Sequence, residues 1–348
     1  MAHSGFEFGL FTHIEQTSGS ARLDALYEEH LVFLTEAEQA GFWGFHLAEH
    51  QCTALSMTPS PSLFLAAAAQ RTKRMRLGAM VYLLPFYNPL RFAYEICMLD
   101  GLTGGRLEIG VGRGISAFEH AYYGIPILET REMYDDGLAA ILKGLTQERL
   151  QHHGPYYRFT DVPMSMKPLQ KPYPGLWYGI LTPSSAAYAG QNRLNAMTIG
   201  PTEHAAHVLE QYLEARKAER PDALNKHVAT PRYGATRWLF IADTDAEADR
   251  TARAAYDCFV ANIQQLWAAW SVRDLRIGHP YDMVTKAGFV VVGSPAAVRD
   301  ELAKQVEQLP ANYMLLNMKW GNLTAAQSRR SLELFATEVR PGLKRAMA

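Results

Sequence analysis

Gly41-Phe42-Trp43-Gly44-Phe45-His46-Leu47-Ala48-Glu49-His50-Gln51 is a short apolar run that ends in a carboxylate and an imidazole side by side. A run of this length, opened by glycine and rich in aromatic residues, predicts a buried strand, and parallel barrels and open α/β sheets gather their chemistry at the carboxyl ends of strands. Glu49 and His50 are therefore candidate catalytic residues. For the dipeptide alone, a capped strand end with a hydrogen-bonded histidine is the alternative.

Outward from that stretch, short apolar runs alternate with amphipathic ones along the whole chain, the order that a parallel sheet with crossover helices produces. Eight strands are predicted, at Phe6–Thr12, Phe42–Ala48, Arg76–Leu83, Arg106–Val111, Leu176–Leu181, Ala196–Ile199, Thr236–Ala242 and Tyr313–Met318. Helical patterns lie between them at Leu23–Ala40, Pro61–Arg71, Arg91–Leu102, Arg131–Gly144, Ser184–Asn192, Thr202–Glu219, Asp245–Trp270 and Pro295–Gln308, and a closing helix runs from Ala325 to Lys344. Eight βα pairs predict an α/β fold, a (β/α)8 TIM barrel formed by residues 1–348 as one domain. Arg149–Gly175 and Ser271–Val292 do not fit the alternation and read as insertions over the C-terminal mouth, where long loops supply binding surfaces and specificity.

The chain has 348 residues, 48% hydrophobic and 20% charged, with a formal net charge of -1. That balance carries no basic footprint for nucleic acid and no polybasic patch for a membrane surface. Cys52, Cys97 and Cys258 are odd in number and widely spaced, so a disulfide framework or a zinc site is not expected. The first residues lack a signal-peptide pattern, and no apolar stretch reaches the roughly 18 residues of a membrane span, so a cytoplasmic protein is expected.

In Leu107-Glu108-Ile109-Gly110-Val111-Gly112-Arg113-Gly114, a strand ends in glycines around one arginine. The backbone there can approach a ligand closely while the Arg113 guanidinium reaches an anion; a tight glycine turn with a surface arginine is the competing reading. The G-x-G-x-G spacing is not a dinucleotide fingerprint. Thr182-Pro183-Ser184-Ser185 brings hydroxyls and free N–H groups to a helix start, a second anion site or a simple N-cap. Gly78-Ala79-Met80-Val81-Tyr82 passes from small to bulky, and a backbone irregularity there would support a planar ring. His152-His153 and the Trp267/Trp270 pair read as structural. Tyr82, Phe11 and Trp320 line the pocket or fill the barrel, two readings of equal standing. No G-x-S-x-G elbow, Walker loop or H-E-x-x-H helix is present, and no metal site is expected.

Taken together, Gly41 to His50, Leu77-Gly78-Ala79-Met80-Val81 with Leu84-Pro85, Asn88-Pro89-Leu90-Arg91, Met98-Leu99-Asp100 and Gly104 to Gly114 resemble the bacterial luciferase-like flavin monooxygenases. The resemblance is dense over roughly the first 145 residues, returns at Leu176–Gly190, and follows the last third in outline. It implies a barrel, usually dimeric, that binds reduced FMN supplied by a separate reductase and reacts it with dioxygen to oxidise an aldehyde, ketone or heteroatom compound. By that resemblance His50 stands beside the flavin ring, with Glu49 to orient it or to close a strand-end hydrogen bond. Met80–Val81 falls on a non-proline cis peptide under the isoalloxazine, Arg113 falls in the phosphate region, and Ser185, with Thr182 and Ser184, falls at the phosphate-binding helix start. Gln51 stands where many members carry histidine, and Ser184 where many carry a glutamate that contacts the ribityl chain or nearby backbone. A reduced deazaflavin doing hydride transfer on the same fold, and a flavin-binding paralogue without catalysis, are the alternatives.

Overall fold

The computed structural model describes residues 5–17, 22–268 and 278–347. In chain order its strands are β1 (Glu7–Thr12), β2 (Gly44–Leu47), β3 (Arg76–Leu83), β4 (Leu107–Gly112), β5 (Arg149–His153), β6 (Arg158–Pro163), β7 (Leu176–Gly179), β8 (Asn195–Ile199), β9 (Tyr233–Ile241), β10 (Val290–Gly293) and β11 (Tyr313–Asn317). The helices are α1 (Leu23–Gln39), α2 (Pro61–Arg71), α3 (Pro89–Thr103), α4 (Ala117–Tyr122), α5 (Thr130–Thr146), α6 (Pro183–Gln191), α7 (Thr202–Arg216), α8 (Asp245–Ala268), α9 (Tyr281–Lys286), α10 (Pro295–Gln308), α11 (Ala325–Leu334) and α12 (Arg340–Met347).

Strands β1, β2, β3, β4, β7, β8, β9 and β11 pair in parallel, and β11 returns to β1, so the sheet closes into a (β/α)8 TIM barrel. These are the eight strands expected from the sequence. Parallel strands are covered on both sides, which is why each reads as a continuous apolar run without alternation. Helix starts follow the local chemistry: Asn88 Oδ1 accepts from Leu90 N and Arg91 N at 3.1 and 3.3 Å, and Ser294 and Thr324 cap α10 and α11. Proline sits in the first turn of α2, α3, α6 and α10, where a missing N–H costs nothing.

Large side chains on one wall fit glycines on the other. A Cβ at Gly9 would lie 1.7 Å from the Tyr313 hydroxyl, and one at Gly44 3.2 Å from it. Trp177 packs edge-on to His46 at 4.6 Å and donates to Glu108 Oε2 at 2.5 Å, while Glu108 also pairs with Arg76. These side chains close the floor of the barrel, although Trp43, Arg76, Glu108 and Asn195 also line a cavity of about 480 Å³ at the amino end, and the sequence-predicted residues lie at the carboxyl end, where barrels of this kind carry their chemistry.

Two segments differ from the sequence reading. Within Arg149–Gly175, β5 and β6 form an antiparallel hairpin against α5, fixed by Asp136, which accepts from Tyr156 N and Tyr157 N at 2.9 Å and pairs with His152 at 2.7 Å. Gln170 then bonds Asp100, Leu107 O and Arg76 at the strand starts, so this insertion lies on the flank and the amino end, not over the mouth. Its hairpin escapes periodicity because its exposed polar residues carry no apolar run. His152 is structural as expected, and a carboxylate does face it, delivered by α5. In the second insertion α9 packs on α8 and β10 extends β9 along Trp238–Ile241. Residues 271–277, and the Trp267 and Trp270 side chains, lie outside the described residues.

The long helix α8 roofs part of the mouth. Phe259 meets Trp238 at 5.1 Å and His13 at 6.0 Å, and Asn262 Nδ2 donates to Glu15 Oε2 at 2.9 Å. Among the described residues no helix is long and apolar enough to cross a membrane.

Candidate active site

Glu49 and His50 follow β2 and face different partners. Glu49, 3% exposed, accepts from Leu83 N at 3.1 Å, Tyr87 Oη at 2.9 Å and Gln51 Nε2 at 2.9 Å. Burial pushes its carboxyl up to about 8, against the pull of those three donors. It closes the β2 and β3 strand ends and does not touch His50. His50 instead places Nδ1 3.2 Å from Glu119 Oε1, and the same oxygen accepts from Gln51 N at 2.6 Å. Glu119 is 1% exposed and arrives on the short helix α4, which Ser116 caps. Sequence reasoning missed Glu119; the Ser116-x-x-Glu119 capping pattern was its one available signal.

The pairing of β3 with β4 shifts register between Ala79 and Tyr82, and the Met80–Val81 peptide is cis. The irregularity needs the glycines opposite it. A Cβ at Gly110 would lie 2.1 Å from Ala79 O, and one at Gly112 2.5 Å from Val81 Cγ2. Past the bulge, Tyr82 turns outward to Ser62 Oγ at 2.9 Å and packs on Phe92 at 4.8 Å. It belongs to the helix layer, whereas Phe11 points into the barrel core, and Trp320, buried with its Nε1 donating to Leu239 O at 3.2 Å, also lines a cavity of about 750 Å³ with Glu15, Cys258 and Lys319.

Arg113 is exposed at the end of β4, its Nη1 3.4 Å from Thr130 Oγ1. At the end of β7, Thr182 and Ser185 form a reciprocal cap of α6: Ser185 N donates to Thr182 Oγ1 at 3.3 Å, and Ser185 Oγ accepts from Thr182 N at 2.9 Å. Ser184 Oγ lies 3.1 Å from Thr182 Oγ1. Arg131, absent from the sequence reading, sits 5.0 Å over the Tyr188 ring. Burial raises the Tyr178 hydroxyl, and the Arg131 and Arg113 guanidinia pull it back, so two cations gather near the end of β7.

The predicted residues thus occupy the carboxyl ends of four adjacent strands, β2, β3, β4 and β7. This half of the mouth is open, with Arg113, Gly179, Leu181, Thr182 and Ser184 exposed, and a Cβ at Gly179 would meet nothing within 4 Å. The half under α8 holds His13, also missed, whose ring lies parallel to that of His50 at 5.7 Å. Thr12-His13-Ile14-Glu15 is a polar strand end like Glu49-His50 and was open to the same reading. Among the described residues no group of three or more metal-ligating side chains is present.

A planar, phosphorylated cofactor fits these residues: a flat glycine wall, two arginines, a helix start with hydroxyls, and an imidazole at the far side. Comparisons with known proteins agree. The chain is 28% identical over 249 residues to the oxygenase component of flavin-dependent trigonelline monooxygenase from Acinetobacter baylyi, covering 70% of this chain and 68% of that one. The crystal structure of monooxygenase RslO1 from Streptomyces bottropensis superposes with a TM-score of 0.84 at 26% identity, over 96% of this chain and 99% of that one. The oxygenating constituent of 3,6-diketocamphane monooxygenase from Pseudomonas putida, solved with FMN, shares the fold with a TM-score of 0.77 at 22% identity, over 97% and 98% of the two chains. The family described as luciferase-like monooxygenase matches residues 6–312, and this chain belongs to that family.

Proposed function

We propose that the protein is the oxygenase of a two-component system, binding reduced FMN from a separate reductase and using dioxygen to oxidise a small aldehyde, ketone or heteroatom compound. The observation that carries this reading is the half-open mouth, where the glycine wall of β3 and β4 lies between the Arg113/Arg131 pair and His50. The FMN bound in one structural neighbour and the oxygenase-component name of a relative support it.

When bound, the reduced flavin supplies the electrons and the oxygen activation. The chain's own residues supply the rest. Arg113 and Arg131 would hold its phosphate, with Thr182, Ser184 and Ser185 adding hydroxyls and the positive end of α6. Glu119 accepts a hydrogen bond from Nδ1–H of His50, which would leave Nε2 free to take or return a proton at the reacting group. Glu49, Gln51 and Tyr123 hold the strand end in place: Tyr123 donates to Gln51 Oε1 at 2.7 Å, so the departure at Gln51 is built into the framework. The roof of α8 excludes water from the side opposite the phosphate. A homodimer forms part of the proposal, and sedimentation velocity reads it directly.

The test mixes the protein without oxygen with reduced FMN or a reduced deazaflavin, then admits 18O2 with a panel of aldehydes, ketones and sulfides. Tight binding of reduced FMN and one labelled oxygen atom per product are expected. Preferential deazaflavin binding with no oxygen consumption would overturn the reading, as would FMN binding with no product from any compound.

A further inference from the structure

The cavity of about 480 Å³ at the amino end of the barrel lies on the face opposite the proposed flavin mouth. Parallel barrels keep their catalytic groups at the other face, so nothing in the oxygenase reading uses this one. Among its described lining residues Arg76, Lys171 and Arg232 are cationic and Glu108 alone is acidic. Glu108 pairs with Arg76, and Glu7, which is not part of the wall, pairs with Arg232. Lys171 therefore carries an excess of one positive charge. Burial raises the Glu108 carboxyl, so the excess grows wherever that group holds its proton.

The polar groups are held in place by the chain itself. The Arg232 guanidinium lies 3.7 Å over the Trp43 ring, and Glu7 and Thr230 O take three of its five N–H donors, so two remain. Gln170 Oε1 at 2.7 Å and Leu107 O at 3.2 Å fix Arg76. Asn195 Oδ1 accepts from Arg232 N at 2.9 Å, which leaves its Nδ2 beside Gly175. Gly175 keeps that space clear: a Cβ there would lie 3.1 Å from Glu108 Oε2 and 3.4 Å from Asn195 Nδ2. Neither ring nitrogen of His227 makes a hydrogen bond of good geometry; burial lowers its pKa, and the Tyr173 main chain draws it part of the way back. Both oxygens of Glu108 are engaged, by Arg76 and by Trp177 Nε1. The wall thus offers cations and donors, while its one carboxyl is already committed.

We propose that this cavity is a second binding site, separate from the flavin mouth, for a small organic oxyanion, whose head meets Arg232, Lys171 and Asn195 while its body lies against Trp43 and Tyr173. The volume suits a metabolite-sized ligand. A carboxylate and a phosphate ester share the required chemistry: each brings charge and acceptor oxygens to a wall that has donors to spare. A neutral compound of the same shape forgoes the charge, and a cation meets like charges.

The experiment titrates the full chain by calorimetry, at constant ionic strength, with benzoate, phenyl phosphate, benzamide, benzylamine and sodium sulfate. Benzoate or phenyl phosphate is expected to bind about ten-fold tighter than benzamide, the scale of one charge-assisted hydrogen bond, and benzylamine more weakly still. The tighter of the two anions tells a carboxylate ligand from a phosphate ester. Lys171→Met, a change at an exposed side chain, should weaken that binding about ten-fold, while Arg113→Met at the flavin mouth should leave it unaltered. Benzamide binding as tightly as both organic anions, sulfate binding as tightly as both, or no saturable binding of either organic anion would overturn the proposal. So would an affinity that Lys171→Met leaves unaltered or that Arg113→Met removes. No flavin and no turnover enter the readout, so this proposal and the oxygenase reading stand or fall separately.

Discussion

At the scale of single residues, the proposed chemistry rests on His50 and Glu119, while Glu49 ties the β2 end to Leu83 and Tyr87. His50→Ala should lower coupled product formation roughly 100-fold or more, as removal of a general acid or base does, with the oxygen lost as hydrogen peroxide. Product yield near that of the unaltered protein would remove His50 from the reaction. Glu119→Gln keeps an acceptor for Gln51 N but loses the charge facing Nδ1, and a loss of about ten-fold, smaller than that of His50→Ala, is expected in the same coupled assay. The sequence exposed His50 because it ends an apolar run, yet it hid Glu119. Their separation of 69 positions is bridged by the fold, not by any spacing along the chain. It also invited a pairing of Glu49 with His50 that geometry refuses: neighbours in an extended segment point opposite ways, and Glu49 turns to Leu83 and Tyr87.

At the scale of elements, the β3 bulge and the glycines of β4 are one feature written in two places. Gly110→Ala sets a methyl against main-chain oxygen 2.1 Å away, which only a backbone shift can relieve. Thermal or urea unfolding should show a loss of about 1–3 kcal/mol, the usual cost of overpacking. Gly179→Ala enters open space, so its melting temperature should stay level while reduced FMN binds about ten-fold weaker, the effect of one misplaced methyl in a pocket. A stable Gly110→Ala protein, or undiminished flavin binding in Gly179→Ala, would contradict the respective assignment. The irregularity at Met80 was anticipated from its small-to-bulky sequence, but the outward turn of Tyr82 was not, because a register shift reverses which face a side chain takes. The β5–β6 hairpin and β10 stayed illegible for a different reason. One is mostly polar, and the other is four residues attached to a strand already counted.

At the scale of the whole molecule, buried ionisable groups set how stability follows pH. Burial raises Glu15 to about 7 and Glu49 to about 8, and raises Glu108 as well. Glu15 and Glu49 keep their protons in the folded chain while the unfolded chain releases them above about 4.5, so each withdraws stability as pH climbs from there to its folded value. Burial lowers His13, His30 and His46, the last to about 3, and these stay neutral while the unfolded chain takes up protons below about 6.5. They withdraw stability as pH falls through that value. The two sets oppose each other between 4.5 and 6.5, so the urea midpoint should be highest there and decline on both sides. Glu49→Gln should flatten the decline from 6.5 to 8 by about 1.4 kcal/mol per pH unit; an unchanged slope would show that Glu49 is ionised in the folded state. The barrel itself was the most legible layer, since closure demands eight apolar runs at regular intervals, whereas which residues meet at its rim depends on loops that no periodicity describes.

The plugged base has a consequence for traffic. With Trp177, Glu108, Arg76 and Tyr313 closing the barrel floor and α8 lying across one side of the rim, a diffusible cofactor and its co-reactant would, on the proposed reading, both pass the half of the rim that the described residues leave open. The one that docks deeper would then have to come first and depart last, and slower turnover with the second compound in excess is the kinetic sign expected of such a queue.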